Sequence, residues 1–188
     1  MTQIVSTLES RLAERIRDER IGRGWSTSEL SARSGVSRAM VARVEGGAVQ
    51  PTAALLGRLA GAFGVPLSLL FARAEGAPSR LVRPADQSVW RDPETRYVRR
   101  ALSPPSDAAL QLTLVDLPPG ATVRYPSEAY AFIHQQIWVQ TGTLTFVEGP
   151  DTHVLEAGDC LQLGPPAPCT FANRTRRSCR YLVAVARR

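Results

Sequence analysis

The hydrophobic pattern of the chain changes near Phe71, and this change limits the possible folds more than any other feature. Before that point apolar residues recur at helical spacing, as Leu56, Leu59 and Phe63 do. From about Trp90 onward they fall in short runs such as "LQLTLVDL" and "YLVAVA", separated by turns rich in glycine and proline. The second pattern is typical of an all-β sandwich or barrel. The sequence therefore predicts an α domain followed by an all-β domain.

Capping residues and glycines divide the first part into five short helices. Ser26 and Glu29 have the spacing of a capping box, in which a hydroxyl and a carboxylate each accept a hydrogen bond from a backbone N–H at the helix start. Gly35 closes that helix and Ser37 begins the next one. A fifth helix is expected to end near Phe71. Five such helices predict a compact bundle.

The boundary between the two parts is a segment in which apolar residues recur with no regular spacing. The stretch "ARAEGAPSRLVRPADQS" is rich in alanine, proline, glycine and charge, which is typical of a linker. We therefore expect a helical domain over residues 1–72, a linker over 73–88 and a β domain over 89–188.

Charge and cysteine content narrow the class of protein. A net charge of +6 and a pI near 10.0 suit a polyanionic partner. No run of about 18 apolar residues occurs, so no membrane span is expected, and the N-terminus lacks a signal-peptide core. The three cysteines are too few for a secreted disulfide framework, so we expect a cytoplasmic protein.

The segment "SELSARSGVSRAMVARVEGG" places two short helices around a glycine corner. Gly35 permits the corner, Val36 can fill the angle between the helices, and Val41 and Val44 share an inward face. The outward face of the second helix can then enter a DNA major groove, where arginine matches guanine and alanine can approach a thymine methyl. The predicted base-reading residues are Arg38, Ala39, Ala42 and Arg43, and hydroxyls at the helix N-termini, from Ser26, Thr27 and Ser37, are predicted to contact phosphate.

The pattern "R-x4-W-S-x3-L-x4-G-V-S-x6-V-E-G-G-x3-P-T-x2-L-L" resembles the phage repressor and Cro type of helix-turn-helix domain, the XRE family. The resemblance implies that the four outward residues of the second helix lie on its recognition helix. It also implies a structural ion pair between Arg20 and Glu45. Relatives often carry polar groups at positions 39 and 42, where this chain has alanine. We therefore expect Arg38 and Arg43 to make most of the direct contacts with bases.

The segments "IWVQTGTLTF", "VLEAGDCLQL" and "PPAPCTFAN" resemble a cupin, a small double-stranded β-barrel. Many cupins hold a metal through histidines and a glutamate. Here the glutamate position is Gln135, a histidine position is Cys169, and the first histidine pair is missing. His134 and His153 match no ligand position. We therefore expect no metal and no cofactor in this barrel.

Strand alternation predicts which side chains face the barrel interior. In "HQQIWVQ" the residues Gln135, Ile137 and Val139 share one face, while Trp138 faces away, toward a second protomer. An amide and a thiol beside apolar side chains suit a small-molecule pocket. The predicted effector pocket contains Tyr125, Gln135, Ile137, Val139 and Cys169.

Together these features predict a sequence-specific transcriptional regulator, not an enzyme. It would bind double-stranded DNA at an inverted-repeat operator as a homodimer, and its cupin-like domain would sense a small-molecule effector. Three alternatives stay open: a cupin metalloenzyme with a helical appendage, a regulator that senses redox state through Cys169, and a β domain that serves only for dimerisation.

Overall fold

Five α-helices precede ten β-strands in this computed structural model, which describes residues 2–75 and 78–187 and the side chains from Leu8 onward. The helices are α1 (Thr2–Ile21), α2 (Thr27–Ser34), α3 (Arg38–Glu45), α4 (Ala53–Phe63) and α5 (Leu67–Ala74). The strands are β1 (Val89–Arg91), β2 (Val98–Ala101), β3 (Leu110–Leu117), β4 (Thr122–Tyr125), β5 (Ile133–Thr141), β6 (Leu144–Glu148), β7 (Asp151–Leu155), β8 (Cys160–Gln162), β9 (Cys169–Ala172) and β10 (Cys179–Arg187).

The helix boundaries follow the local capping signals. Ser26 Oγ accepts a hydrogen bond from the Glu29 N–H at 3.1 Å, and Glu29 Oε2 accepts one from the Ser26 N–H at 2.6 Å, which confirms the capping box. Gly35 ends α2 with a φ of 66°, a left-handed conformation that glycine adopts without a steric penalty. These local signals fix α2 because they satisfy backbone groups that the helix itself leaves unpaired.

Helix α5 is longer than the sequence predicted, since it runs three residues past Phe71 to Ala74. Its last turn enters the predicted linker, which also contains a 3-10 turn at Pro84–Asp86. Tertiary contacts explain the extension. Arg73 in this turn bonds Glu19 Oε1 of α1 at 2.8 Å and Asp107 Oδ1 at 3.0 Å.

The β half consists of two antiparallel sheets that face each other across a common core. One sheet has six strands in the order β1-β2-β3-β10-β5-β8, and the other has four in the order β4-β9-β6-β7. Along β5 buried and exposed residues alternate from Ile133 to Val139, as the sequence predicted for one inward face. The helix bundle and the cupin-like barrel predicted from the sequence are both present.

The two halves share one hydrophobic core. Trp90 of β1 is 1% exposed and packs against Phe71 of α5, with ring centroids 5.4 Å apart, and against Tyr97, at 5.7 Å. The Arg99 guanidinium of β2 lies over the Phe71 ring, 4.2 Å from its centroid. Nothing in the sequence signalled this contact, because each aromatic residue also fits the core of its own domain.

Helix α4 approaches the barrel closely through two glycines. A Cβ atom placed on Gly57 would lie 2.5 Å from Tyr125 Cδ1, and one placed on Gly61 would lie 3.0 Å from Glu128 Cβ. Both distances are shorter than a normal carbon contact. Glycine at these positions therefore lets the α4 backbone touch the barrel.

No single described helix has the length and apolar character needed to span a membrane. Helices α4 and α5 have this length and apolar character only when they are taken together, and the chain bends by 96° between them.

Candidate nucleic-acid interface and barrel cavity

Helix α3 presents two different faces. Val41 and Val44 are fully buried against the bundle. Opposite them, the four predicted base-reading residues are all exposed to solvent. They comprise two arginines and two alanines, so a flat, cationic surface projects from the second helix of the corner. These residues are Arg38, Ala39, Ala42 and Arg43.

The hydroxyls at the helix N-termini cap the helices. Ser37 Oγ accepts from the Met40 N–H at 3.3 Å, and Ser26 Oγ accepts from the Glu29 N–H at 3.1 Å. Ser26 and Ser37 are exposed and Thr27 is partly exposed. All three hydroxyls thus belong to side chains that solvent reaches.

An ion pair fixes α3 relative to α1. Arg20 Nε donates to Glu45 Oε1 at 2.7 Å, and Arg20 Nη2 donates to Glu45 Oε2 at 2.8 Å. The third arginine contact, from Nη1 to the Trp25 carbonyl at 2.7 Å, holds the chain before α2. Bidentate geometry of this kind restricts orientation as well as distance. Helix α3 is thus held rigidly at both ends, by Glu45 at its last residue and by the Gly35 corner before it.

A cavity of about 90 Å³ lies between the two sheets and the start of α5. Its walls include Val123 and Phe171 of the smaller sheet and Val183 of the larger one. Pro66 and Ser68 from the helical half complete the wall. The cavity is therefore bordered by both domains, and the barrel alone does not form it.

Several polar side chains line the cavity, although its wall is mainly apolar. Burial raises the pKa of the Tyr97 phenol to about 12 and the pKa values of three other lining phenols well above their ordinary value, so all four stay protonated near neutral pH. Tyr97 and Tyr125 hydroxyls lie 3.2 Å apart. The polar lining residues are Ser68, Arg99, Thr113, Gln135 and the tyrosines Tyr97, Tyr125, Tyr130 and Tyr181.

The predicted pocket residues divide into two groups. Tyr125 and Gln135 line the cavity. Ile137 and Val139 are fully buried and Cys169 is 1% exposed, but none of the three lines the cavity. The inward direction predicted for these strand positions is right. None of the three lines this cavity, so their place in an effector pocket stays a prediction.

The environment of Cys169 opposes thiolate formation. Burial, together with the carboxylate of Glu148, raises the pKa of the Cys169 thiol to about 12. Its Sγ donates to the Ala167 carbonyl at 3.3 Å. Arg174, Arg176 and Arg177 are close to Cys169 in sequence, but the pKa of the thiol does not fall as nearby cations would make it do. A thiol of this kind reacts slowly with oxidants at neutral pH.

The histidines lie apart from the cavity and from each other. His134 is exposed on the outward face of β5, and His153 is partly exposed on β7 and stacks on Phe146. Within residues 2–75 and 78–187, no group of three or more His, Cys, Asp or Glu side chains could hold a metal ion.

Sequence reasoning missed Ser68 and Arg99, the two lining residues whose chemistry differs most from an apolar wall. Arg99 is 5% exposed on β2 and its Nη2 donates to Thr113 Oγ1 at 3.2 Å. A usable signal existed in "VRRA", where Arg99 falls on the inward side of a short strand. Ser68 carried no such signal, because a serine in the first turn of a helix is ordinary.

Comparison with known proteins agrees with this architecture. Residues 16–70 match the helix-turn-helix family HTH_3. The HTH-type transcriptional regulator SutR of Escherichia coli (strain K12) is 32% identical over 78 residues, a region covering 42% of this chain and 44% of SutR. The matched region thus spans less than half of that relative.

Solved structures extend the likeness to the whole chain. An HTH_3 family transcriptional regulator from Vibrio cholerae has a TM-score of 0.78 at 22% identity, covering 96% of this chain and 97% of the other. The Cupin_2 domain of an XRE family transcriptional regulator from Enterobacter cloacae has a TM-score of 0.44 at 16% identity, covering 48% of this chain and 95% of that domain. This chain therefore contains a helix-turn-helix domain that matches HTH_3, joined to a domain of two antiparallel sheets, and its overall fold is that of the Vibrio cholerae structure.

Proposed function

We propose that this protein is a sequence-specific DNA-binding transcriptional regulator whose barrel senses a small molecule. The observation that carries the proposal is the exposed face of α3, on which Arg38 and Arg43 project from a helix held by the Arg20–Glu45 ion pair. A rigid, cationic helix face suits the major groove, where an arginine fork matches the O6 and N7 atoms of guanine. The name of the SutR relative, an HTH-type transcriptional regulator, supports the same function.

We infer that the active form is a homodimer joined through the outer face of the six-stranded sheet. Register places Leu182 of β10 opposite both Leu114 of β3 and Trp138 of β5, and Trp138 lies opposite Cys160 of β8. Trp138 is 45% exposed, so a row of three large apolar side chains, which ends at the smaller Cys160, crosses four strands next to solvent. A second copy would cover this row, and two recognition helices would then read an inverted repeat.

The effector would bind in the cavity between the barrel and α5 and act by linkage. An effector that prefers one arrangement of the two DNA-binding heads shifts operator affinity by that preference. The position of the cavity supports this mechanism, because Pro66 and Ser68 of the helical half form part of its wall. We place the protein in the cytoplasm, where DNA is accessible and its three cysteines stay free.

The redox alternative is weaker than the ligand alternative because the Cys169 thiol is buried and its pKa is raised to about 12. We also propose that the barrel is not catalytic and holds no metal. Elemental analysis of protein purified without chelator tests this part, since one transition-metal ion per chain would contradict it.

Genome-wide mapping of the DNA bound in cells tests the function as a whole. We expect a small number of discrete sites that share an inverted repeat with half-sites about one helical turn apart. Uniform occupancy without a shared motif would contradict sequence-specific binding. The genes beside the bound sites would indicate the chemical class of the effector.

A further inference from the structure

The hydroxyl of Ser68 identifies the point where a ligand would bond in the cavity. Ser68 is the second residue of α5, is 7% exposed and lines the cavity wall. Across the part of the chain that the structure describes, its Oγ makes no hydrogen bond. Buried hydroxyls are nearly always hydrogen-bonded in folded proteins, because an unpaired one loses the bonds it made to water. The group is thus free to bond a molecule inside the cavity.

Donors exceed acceptors among the polar side chains of the cavity wall. Arg99 carries only N–H donors, and the lining phenols are protonated because burial raises their pKa values. The side-chain amide oxygen of Gln135 is one of the few lining acceptors that carries no proton of its own. A wall of this composition favours a ligand with several acceptor atoms close together.

Arg99 forms a long ion pair with one buried carboxylate, that of Glu75. Its Nη1 lies 3.5 Å from Glu75 Oε1, which is long for a hydrogen bond, and that oxygen makes no hydrogen bond within the described chain. Burial raises the pKa of Glu75 even though Arg99 opposes the shift. A guanidinium has five N–H donors, so Arg99 can bond a second carboxylate beside Glu75.

The size and the remaining wall limit the rest of the ligand. The cavity of about 90 Å³ is smaller than the roughly 150 Å³ cavity that accommodates a benzene molecule. A molecule of about four to six non-hydrogen atoms fits this space. Val123, Ile133 and Val185 supply apolar surface for a short alkyl tail.

We propose that the cavity binds a short-chain carboxylate, whose oxygens accept hydrogen bonds from Ser68 of the helical half and from Arg99 of the barrel. The proposal rests on the regulator function above, for which it names the effector class. Because Ser68 belongs to α5 and Arg99 to β2, one bound carboxylate connects both domains. Its binding energy is then available to favour one relative position of the helix-turn-helix domain.

Calorimetric titration of the full chain with acetate, propionate and butyrate tests the ligand class, with propionamide and butyramide as neutral controls of nearly equal shape. We expect one carboxylate to bind per chain and the matching amide to bind about tenfold more weakly or worse. The Ser68→Ala variant should lose about tenfold in affinity for the acid. Ser127→Ala serves as the matched control, because Ser127 does not line the cavity.

Three results would overturn the proposal: no acid binds, the amides bind as tightly as the acids, or Ser68→Ala leaves the affinity unchanged. Removal of an unpaired buried hydroxyl should not unfold the protein, and a thermal melt of each variant checks this. DNA binding is measured separately without acid. Protein that binds DNA but no acid contradicts the carboxylate proposal alone, whereas protein that binds acid but no DNA contradicts the regulator function alone.

Discussion

Asp92, which follows β1, caps helix α4: its Oδ1 accepts a hydrogen bond from the Ala53 N–H at 2.7 Å. Its other oxygen accepts from the Thr95 N–H at 2.7 Å and from the Thr95 hydroxyl at 2.6 Å. Asp92 is 1% exposed. One carboxylate thus accepts hydrogen bonds from the first N–H of a helix in one domain and from a turn in the other. The two domains therefore depend on each other for stability.

Replacing Asp92 by alanine should therefore weaken the whole molecule. We expect Asp92→Ala to lower the free energy of unfolding by about 2–4 kcal/mol, because a helix cap is lost and buried N–H groups are left unpaired. Urea denaturation followed by circular dichroism measures the change. Asp151→Ala, at an exposed position on β7, is the control and should have little effect. Equal stabilities of the two variants would contradict the capping role.

Gly57→Ala should also be destabilising, although alanine usually favours a helix by about 1 kcal/mol over glycine. The added Cβ would lie 2.5 Å from Tyr125 Cδ1, so either the ring or the helix must move. We expect a loss of about 1–3 kcal/mol, typical of overpacking. A double-mutant cycle with Tyr125→Leu checks the cause. Gly57→Ala should cost less in the Tyr125→Leu background; an equal cost in both backgrounds would show that the ring is not involved.

Glu19 should make the stability depend on pH in the acid range. Burial alone would raise its pKa, but hydrogen bonds from Arg15, Arg23 and Arg73 lower the pKa from 4.5 to about 2. The folded protein therefore stabilises the ionised form of Glu19 relative to the unfolded chain. Its contribution, about 3 kcal/mol, is present above pH 4.5 and is lost as the pH falls toward about 2.

The Glu19→Gln variant tests this contribution. Denaturation at pH 7 should show it less stable by about 2–4 kcal/mol, and the difference from the parent protein should shrink as the pH falls. Glu14→Gln, at an exposed position of α1, should match the parent protein throughout. A difference that stays constant from pH 7 to pH 2.5 would contradict the assignment.

Trp138→Glu should separate the proposed dimer. Trp138 lies at the centre of the apolar row on the six-stranded sheet, and a charge there would have to be buried between two copies. Light scattering at micromolar concentration should show a dimer for the parent protein and a monomer for Trp138→Glu. Val154→Glu is the matched control, since Val154 is 63% exposed on the smaller sheet. A monomeric parent protein, or equal masses for both variants, would contradict this interface.

Local features were predictable from the sequence because local interactions determine them. The capping box at Ser26, the corner at Gly35 and the inward face of β5 each follow from a few adjacent residues, and the structure confirms all three. The direction of Gln135 followed from the same alternation.

Contacts between the domains were not predictable, because each residue involved also has an ordinary role within its own domain. Phe71 and Trp90 fit any core, and Asp92 fits any turn. Gly57 and Gly61 offered one unused signal. Two glycines four residues apart inside an otherwise helical run cost stability, and a close approach by another part of the chain explains them. The deep position of Cys169 depends on the packing of both sheets and has no local signature.

The central claim is that α3 reads bases, and the ratio of operator affinity to random-sequence affinity tests it most directly. Each arginine fork on guanine contributes about 1–3 kcal/mol of discrimination. Arg38→Ala and Arg43→Ala should therefore each lower this ratio by about 5- to 150-fold. Thr27→Ala should weaken both affinities alike, and Arg124→Ala, which removes one exposed charge on the barrel, is the control for net charge. An unchanged ratio in both α3 variants, with folding intact, would contradict the account.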